Sequence, residues 1–158
     1  MIGKRLMGKK RKISLVPGQL VAISLVDATF GAAHVVLAGL FPVFALYSRR
    51  ADSPAALVGD GWVVSSETPL ATASMPGWVG DGTWAVVGEQ SRDDSAYTLP
   101  GVPPKISFTS HFASDFLNAF HGLTPWDAMH DPAYFEKQLL PDAHVPPTRR
   151  FKNDIPVG

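Results

Sequence analysis

The chain has 158 residues, 46% of them hydrophobic, and its 14 basic and 14 acidic side chains give a formal net charge of zero. This length fits a single domain with a sizeable core. The absence of cysteine excludes a disulfide scaffold, a thiol nucleophile and a thiolate metal site. Fourteen glycines and fourteen prolines favour a turn-rich, partly β architecture over a helix bundle.

The net charge of zero conceals two oppositely charged parts. Residues 1–12 carry six basic side chains and no acid, so they contribute +6. Residues 13–158 hold the other 8 basic side chains and all 14 acids, which gives this part a charge of −6. An acidic body attracts basic partners and repels the phosphates of nucleic acids. We therefore expect a basic protein as the partner.

The most apolar part of the chain, residues 17–47, follows the basic segment and has two interpretations. A basic segment before an apolar run is how signal peptides and N-terminal anchors begin. Residues 31–48 contain no acidic residue, lysine or arginine, and their length is close to the roughly 17–25 residues that a membrane-spanning helix needs. On this interpretation the run is an export signal or a membrane segment.

Turn-forming residues within the run favour strands instead. Pro17-Gly18 and Asp27 interrupt its first half, and Pro42 lacks the N–H that a helix needs in the second half. Short runs of Val, Ile, Leu and Phe between such breaks are typical of strands. We predict strands at residues 19–25, 30–38 and 43–47, with a turn at 26–29, at the centre of the sheet of a cytoplasmic protein.

The remaining predicted elements are short. We predict a loop at residues 51–61, strands at 62–65, 84–88 and 105–110, irregular structure over 66–82 and an exposed loop over 89–104. Phenylalanines at helical spacing predict a helix over 111–120, which ends before Gly122. Thr124-Pro125 is a typical helix start, and Asp131-Pro132 begins a further helix that runs to residue 140.

These elements predict an α+β protein, with a small twisted antiparallel sheet or partly open β-barrel and short C-terminal helices. We expect a single globular domain at residues 13–140, between a basic flexible tail at 1–12 and a Pro-rich tail at 141–158. Trp84 and Trp126 are flanked by apolar or turn residues, which favours a place for both in the core.

The sequence carries no catalytic signature such as a Gly-x-Ser-x-Gly elbow, a His-Glu-x-x-His helix or a dinucleotide fingerprint. His121, Asp127, His130 and Asp131 are close enough in sequence to suggest a metal site or an acid–base pair. However, His130 and Asp131 are adjacent and do not share a helix face. We therefore expect no catalytic residue, metal or cofactor.

Exposed acidic residues in the predicted loops are the candidates for binding a partner. A cluster of exposed charges speeds association and favours the right partner more than it raises affinity. An exposed tryptophan on the turn at Pro76-Gly77 would add an apolar anchor. The candidate partner-binding residues are Asp60, Trp78, Asp81, Glu89, Asp93 and Asp94.

Residues 17–25 and 30–36, joined by a turn, resemble the opening hairpin of the immunity protein 26 family, whose members neutralise toxins of bacterial polymorphic toxin systems. Residues 84–88, followed after a polar loop by Pro100 and the strand predicted at 105–110, are similar to that family's second block. The two blocks span residues 13–110. The family's turn carries Asp-Gly, where this chain has Asp27-Ala28-Thr29.

The resemblance implies a protein that binds its cognate toxin stoichiometrically, covers the toxin's active site and performs no catalysis. Many such toxins are nucleases and therefore basic, which suits an acidic body. On this interpretation the protein has no small-molecule substrate and no stable membrane insertion. Two alternatives are a small nucleic-acid-binding β-domain that uses residues 1–12, and a small metal-dependent or hydrolytic enzyme around His121 and His130.

Overall fold

A computed structural model of the chain describes residues 15–37, 42–59, 61–74, 84–90, 105–106, 111–140, 143–144 and 148–154. In these residues six strands form one open sheet in the order β5-β1-β2-β3-β4-β6. The strands are β1 (Gln19–Ser24), β2 (Phe30–Leu37), β3 (Val43–Ala51), β4 (Ala71–Ser74), β5 (Trp84–Glu89) and β6 (Lys105–Ile106). The α-helices are α1 (Pro54–Gly59), α2 (Phe112–Phe120) and α3 (Tyr134–Gln138).

The apolar run at 17–47 forms the three neighbouring strands β1, β2 and β3, as predicted. β1 pairs antiparallel with β2, with Ala22 opposite Ala32, and β2 pairs antiparallel with β3. β3 continues to Ala51, beyond the predicted end at residue 47. No helix in the described part of the chain is long and apolar enough to cross a membrane.

The outer strands complete a small α+β fold and confirm the predicted class. β5 pairs antiparallel with β1, and β4 pairs antiparallel with β3, whereas β6 lies parallel to β4. β5 and β6 are the two edges of the described sheet, which does not close into a barrel. The strand predicted at 105–110 is confirmed at Lys105–Ile106, and its residues 107–110 lie outside the described residues.

Both faces of the sheet are covered. Val21 and Ile23 of β1 point to the face that carries α2 and α3, where Phe116 is at the centre of a cluster of aromatic rings. Leu20 and Ala22 point to the other face, which packs against α1 and Trp62. Strands that are buried on both faces need apolar residues at consecutive positions. This explains why the run resembles a membrane segment in composition.

Two predicted core tryptophans contact the first face. Trp126 is 2% exposed, and its ring centroid is 5.7 Å from that of Phe116. Trp84 is half-buried against the same cluster, and its ring centroid is 5.1 Å from that of Phe44 in an edge-on contact. The core prediction is therefore confirmed for Trp126, whereas Trp84 packs against the core and stays partly exposed.

Four predicted elements are wrong, each because a tertiary contact decides the local structure. The loop predicted at 51–61 contains α1, whose Leu57 is buried and whose first turn is capped by Ser53 Oγ. The strand predicted at 62–65 is replaced by a 3₁₀ turn at Val64–Ser66. The irregular stretch predicted at 66–82 contains β4, which pairs with β3.

The helix predicted at Thr124-Pro125, the fourth of these elements, does not form. Instead Pro125 forms an isolated parallel bridge with Arg150, and the Trp126 N–H donates a hydrogen bond to the Arg150 carbonyl at 2.6 Å. The Asp131-Pro132 start is correct in outline, because Asp131 Oδ1 accepts a hydrogen bond from the Ala133 N–H ahead of α3.

Candidate functional site

Of the six candidate partner-binding residues, Glu89 lies in the described part of the chain. It is the last residue of β5, is exposed and stands opposite Gln19 in the pairing with β1. Asp60, Trp78, Asp81, Asp93 and Asp94 lie outside the described residues. Glu89 forms no ion pair with another described residue.

The backbone of Gln90, which follows Glu89, forms hydrogen bonds to Gly18, just before β1, and to His34 in β2. Its N–H donates a hydrogen bond to the Gly18 carbonyl at 2.7 Å. Its carbonyl is 2.9 Å from His34 Nε2. Because a carbonyl can only accept, His34 Nε2 carries the hydrogen. His34 is 1% exposed in β2, so its ring serves as a buried donor that fixes the end of β5.

The Gln90 side chain connects the same point to the segment before the 3₁₀ turn. Its Oε1 accepts a hydrogen bond from the Val64 N–H at 2.9 Å, and its Nε2 donates to the Trp62 carbonyl. These bonds explain why residues 62–65 are not a strand, since two of their backbone groups bond to a side chain. One residue therefore holds the ends of β5, β1 and the 62–64 segment together.

Three exposed apolar side chains occur in the segments that these hydrogen bonds join. Val16, Leu37 and Val63 are 49%, 46% and 49% exposed. Val16 precedes β1 and its N–H donates to Gln19 Oε1 at 2.8 Å, whereas Leu37 ends β2 and Val63 lies between Trp62 and Val64.

The opposite end of the β1–β2 hairpin is built from paired charges. Asp27 Oδ1 accepts hydrogen bonds from the Thr29 N–H at 3.1 Å and the Thr29 hydroxyl at 2.6 Å. Arg50, near the end of β3, donates to Asp27 Oδ2 and to Thr29 Oγ1. The Thr29 hydrogen bond, with that of Arg50, lowers the pKa of Asp27 to about 2.

His121 faces this charged pair from the end of α2. Burial and, to a lesser extent, the nearby positive charge of Arg50 lower the pKa of His121 to about 4, while Asp27 acts in the opposite direction. Asn118, one turn earlier, accepts a hydrogen bond from the Val26 N–H through Oδ1 at 2.9 Å. The helix therefore holds the hairpin turn, and His121 is a neutral imidazole at pH 7.

The two carboxylates of the group His121, Asp127, His130 and Asp131, which are close in sequence, bond to other parts of the fold. Asp127 Oδ1 accepts a hydrogen bond from the Lys152 N–H at 2.8 Å, and Asp131 forms an ion pair with Lys137 at 2.6 Å. No group of three or more His, Asp or Glu residues in the described ranges could hold a metal ion. Asp127 therefore binds the C-terminal segment, and Asp131 stabilises the start of α3.

The two ends of the hairpin therefore differ in chemistry. The Asp27–Arg50 end consists of charges that neutralise each other, whereas at the other end of β1 the exposed Glu89 stands opposite Gln19. Comparisons of the chain with models of protein families, with curated proteins and with solved structures give no match.

Proposed function

We propose that this protein is a non-catalytic immunity protein, which binds a cognate bacterial toxin stoichiometrically in the cytoplasm and covers its active site. The observation that carries the proposal is the exposed Glu89 carboxylate, at the edge of a sheet in a body of charge −6. A binding protein of this kind needs a rigid surface that matches its partner. A specific complex of ordinary size buries about 1,600 Å² in total.

The use of other carboxylates supports this role for Glu89. Several acids of the described residues are neutralised within the fold, in the pairs Asp27–Arg50, Glu67–Arg49, Asp131–Lys137 and Glu136–Arg149. Glu89 has no such partner among the described residues, so its charge is available to a basic protein. Charge complementarity of this kind steers association.

The hairpin that carries the family resemblance adds a second support. Ala28, which occupies the position of the family's turn glycine, has a φ of 69°. Glycine is the residue that most readily adopts such a left-handed conformation. The turn of this chain therefore has the backbone shape that an Asp-Gly turn favours.

The proposal is tested with the toxin gene expected beside the gene for this protein. Co-expression should rescue cells from that toxin, and the two purified proteins should form a 1:1 complex in light scattering with complete inhibition at equimolar ratio. The proposal fails if the neighbouring gene encodes no toxin, or if the toxin remains active with this protein in excess.

The alternative functions give different results in the same preparation. A nucleic-acid-binding domain would show binding that weakens steeply with salt and disappears when residues 1–12 are removed. A metal-dependent enzyme would carry a bound metal after purification, or would lose an activity in His130→Ala. An exported or anchored protein would fractionate with membranes or lose its N-terminal residues.

Reversal of two acids tests the contribution of charge. We expect Asp93→Lys with Asp94→Lys to slow association with the toxin by about tenfold at low salt, because steering depends on opposite charges. Stopped-flow mixing at low and high salt measures the rate. An unchanged rate at low salt would remove these two residues from the interface.

A further inference from the structure

We propose that an extended segment of the toxin pairs with the outer edge of β5 and continues the sheet, with an apolar residue beside Val86 and a lysine or arginine beside Glu89. This inference rests on the proposed function and names the mode of binding. Strand addition of this kind takes its affinity from main-chain hydrogen bonds and its specificity from alternate side chains.

The pairing of β1 determines which backbone groups of β5 point outward. In an antiparallel sheet the N–H and C=O of one residue bond to the same neighbouring strand, and successive residues alternate between the two neighbours. The Leu25 N–H donates to the Thr29 carbonyl at 2.8 Å. The odd-numbered residues of β1 therefore bond to β2, and the even-numbered residues, such as Ala22, bond to β5. The Gln90 N–H, which donates to the Gly18 carbonyl at 2.7 Å, agrees with this alternation.

Three residues of β5 lie opposite odd-numbered residues of β1, in the pairs Trp84–Ile23, Val86–Val21 and Glu89–Gln19. Their N–H and C=O groups therefore point away from β1, toward the outer edge of the sheet. In the part of the chain that the structure describes, no strand lies beyond this edge. Three donor–acceptor pairs thus face the position that an added strand would occupy.

The side chains of the same three residues share one face of the sheet. Residues that stand opposite each other in a sheet point to the same side, and Val21 belongs to the cluster that packs on α2 and α3. Gln19 and Val21 are two residues apart in β1, so Glu89 and Val86 lie roughly 7 Å apart along the edge, since a strand rises about 3.4 Å per residue. Val87, which has no residue opposite it, forms a bulge between them.

The exposed side chains of this edge identify the chemistry of the added strand. Val86 is 42% exposed, and Glu89 is exposed and forms no ion pair with another described residue. An apolar residue beside Val86 and a basic residue beside Glu89 complement this pattern. Because both contacts lie on one face, the basic residue of the added strand is two positions from the apolar residue.

The composition of β5 favours a different protein over a second copy of the chain. The strand has the sequence WAVVGE and contains no basic residue, so a second β5 has none to place beside Glu89. The interior of the strand also contains no charged residue or proline, which in other proteins protect sheet edges from pairing. The edge is therefore open to a strand that supplies the missing positive charge.

Hydrogen exchange of single amides, measured by NMR, tests the edge directly. In the free protein we expect the amides of Trp84, Val86 and Glu89 to exchange at least about tenfold faster than those of Ala85 and Gly88, which bond to β1. The purified product of the neighbouring toxin gene should slow the three outer amides by about tenfold or more. Slow exchange of all five amides in the free protein would show that another part of the chain occupies the edge, and would overturn the inference.

Substitutions at the edge test the two side-chain contacts. We expect Val86→Lys and Glu89→Lys each to raise the Kd for the toxin by about tenfold or more, because each places a positive charge beside a basic strand. The matched controls are Val26→Lys, at a residue 66% exposed in the turn after β1, and Asp52→Lys, at an exposed acid after β3. Both controls should leave the Kd nearly unchanged. Calorimetry measures the Kd, and circular dichroism melting shows that each variant is folded.

The outcomes separate this inference from the proposed function. If the toxin binds the wild-type protein and all four variants equally, and the outer amides remain fast in the complex, the toxin docks elsewhere and only the inference is overturned. If the wild-type protein does not bind the toxin at all, the proposed function fails and the inference fails with it. A dimer in light scattering that Val86→Lys abolishes, while toxin binding persists, would assign the edge to a second copy and would also overturn the inference.

Discussion

Ala28 adopts a backbone conformation that is unfavourable for residues with a Cβ atom. Its φ of 69° lies in the left-handed region. The turn is kept in this shape by the bonds of Asp27 to Thr29 and of the Val26 N–H to Asn118. A left-handed conformation costs a non-glycine residue about 1–2 kcal/mol. Glycine avoids this cost, but it loses more backbone entropy on folding, and this loss offsets part of the gain.

We therefore expect Ala28→Gly to raise the free energy of unfolding by about 0.5–1 kcal/mol. Ala55→Gly is the matched control, because Ala55 is partly exposed in α1 and glycine weakens a helix. Urea unfolding followed by tryptophan fluorescence should give opposite signs for the two variants. A loss of stability in Ala28→Gly would show that the methyl group makes contacts that outweigh the backbone conformation.

His121 should make the stability of the protein depend on pH. Burial and the nearby Arg50 lower its pKa from 6.5 to about 4 in the folded state, so the unfolded chain binds more protons between these values. The free energy of unfolding should therefore fall as the pH decreases from 6.5 to about 4. The contribution of Asp27, whose pKa is lowered from 3.8 to about 2, is lost at still lower pH.

We expect His121→Gln to remove the decline between pH 6.5 and 4 and to keep the decline at lower pH. Urea midpoints measured across both ranges separate the two contributions. Parallel curves for the wild-type protein and His121→Gln would mean that another group is responsible for the upper range.

At the scale of elements, Gly122 ends α2 and lets the C-terminal segment pack against it. Its φ is 76°, and a Cβ atom at this position would lie 2.6 Å from the Thr148 carbonyl oxygen. Gly59, at the end of α1, lies in open space, because a Cβ atom there would have no neighbouring atom within 4 Å. The two glycines therefore end their helices under different constraints.

We expect Gly122→Ala to lower the free energy of unfolding by about 2–3 kcal/mol, from backbone strain and the clash with Thr148. Gly59→Ala should change it by less than about 1 kcal/mol. Thermal melts measure both. Equal effects of the two substitutions would contradict the contact between Gly122 and residues 148–154.

The elements that the sequence predicted correctly are those whose local pattern and tertiary contacts agree. β1 to β3 have apolar runs between turn residues, and α2 has its phenylalanines on one face. β4 (Ala71–Ser74) has small side chains and a weak strand signal, so only its pairing with β3 reveals it. Thr124-Pro125 has a helix-start pattern, but its pairing with Arg150 prevents the helix.

As with the fold, the sequence predicts features of the candidate site only where the local pattern agrees with the tertiary contacts. The exposure of Glu89 was predicted because it begins a polar stretch, although the structure places it at the end of β5 and not in a loop. The neighbours of His121 were missed because Asp27, in the turn between β1 and β2, and Arg50, in β3, are far from it in the sequence. Proximity along the chain suggested Asp127 and His130 as partners of His121. The packing of α2 on the sheet instead places His121 near Asp27 and Arg50 at the hairpin turn.

At the scale of the whole molecule, residues 1–12 cancel the charge of the rest. Their removal changes the net charge from 0 to −6. If the partner is a basic toxin, we expect this deletion to speed association by about tenfold at low salt, because the body then attracts the toxin without opposition. The difference should vanish near 1 M salt, where charges are screened beyond about 3 Å.

Stopped-flow association of the full chain and the deletion variant over a salt series measures this effect. A deletion that slows association at low salt would mean that the basic segment itself contacts the partner. The melting temperature of the two proteins serves as a control for an effect on folding.

The position of β1 inside the sheet has a consequence for synthesis on the ribosome. β2 and β3 follow β1 directly, but β5, which covers the other edge of β1, ends 38 residues after the end of β3. At about 5–20 residues per second, this interval lasts about 2–8 s. During that time the growing chain presents the backbone donors and acceptors of β1 to neighbouring chains. We therefore expect the soluble yield of the protein to increase with faster translation of residues 52–89, or with a chaperone that shields β1 during this interval.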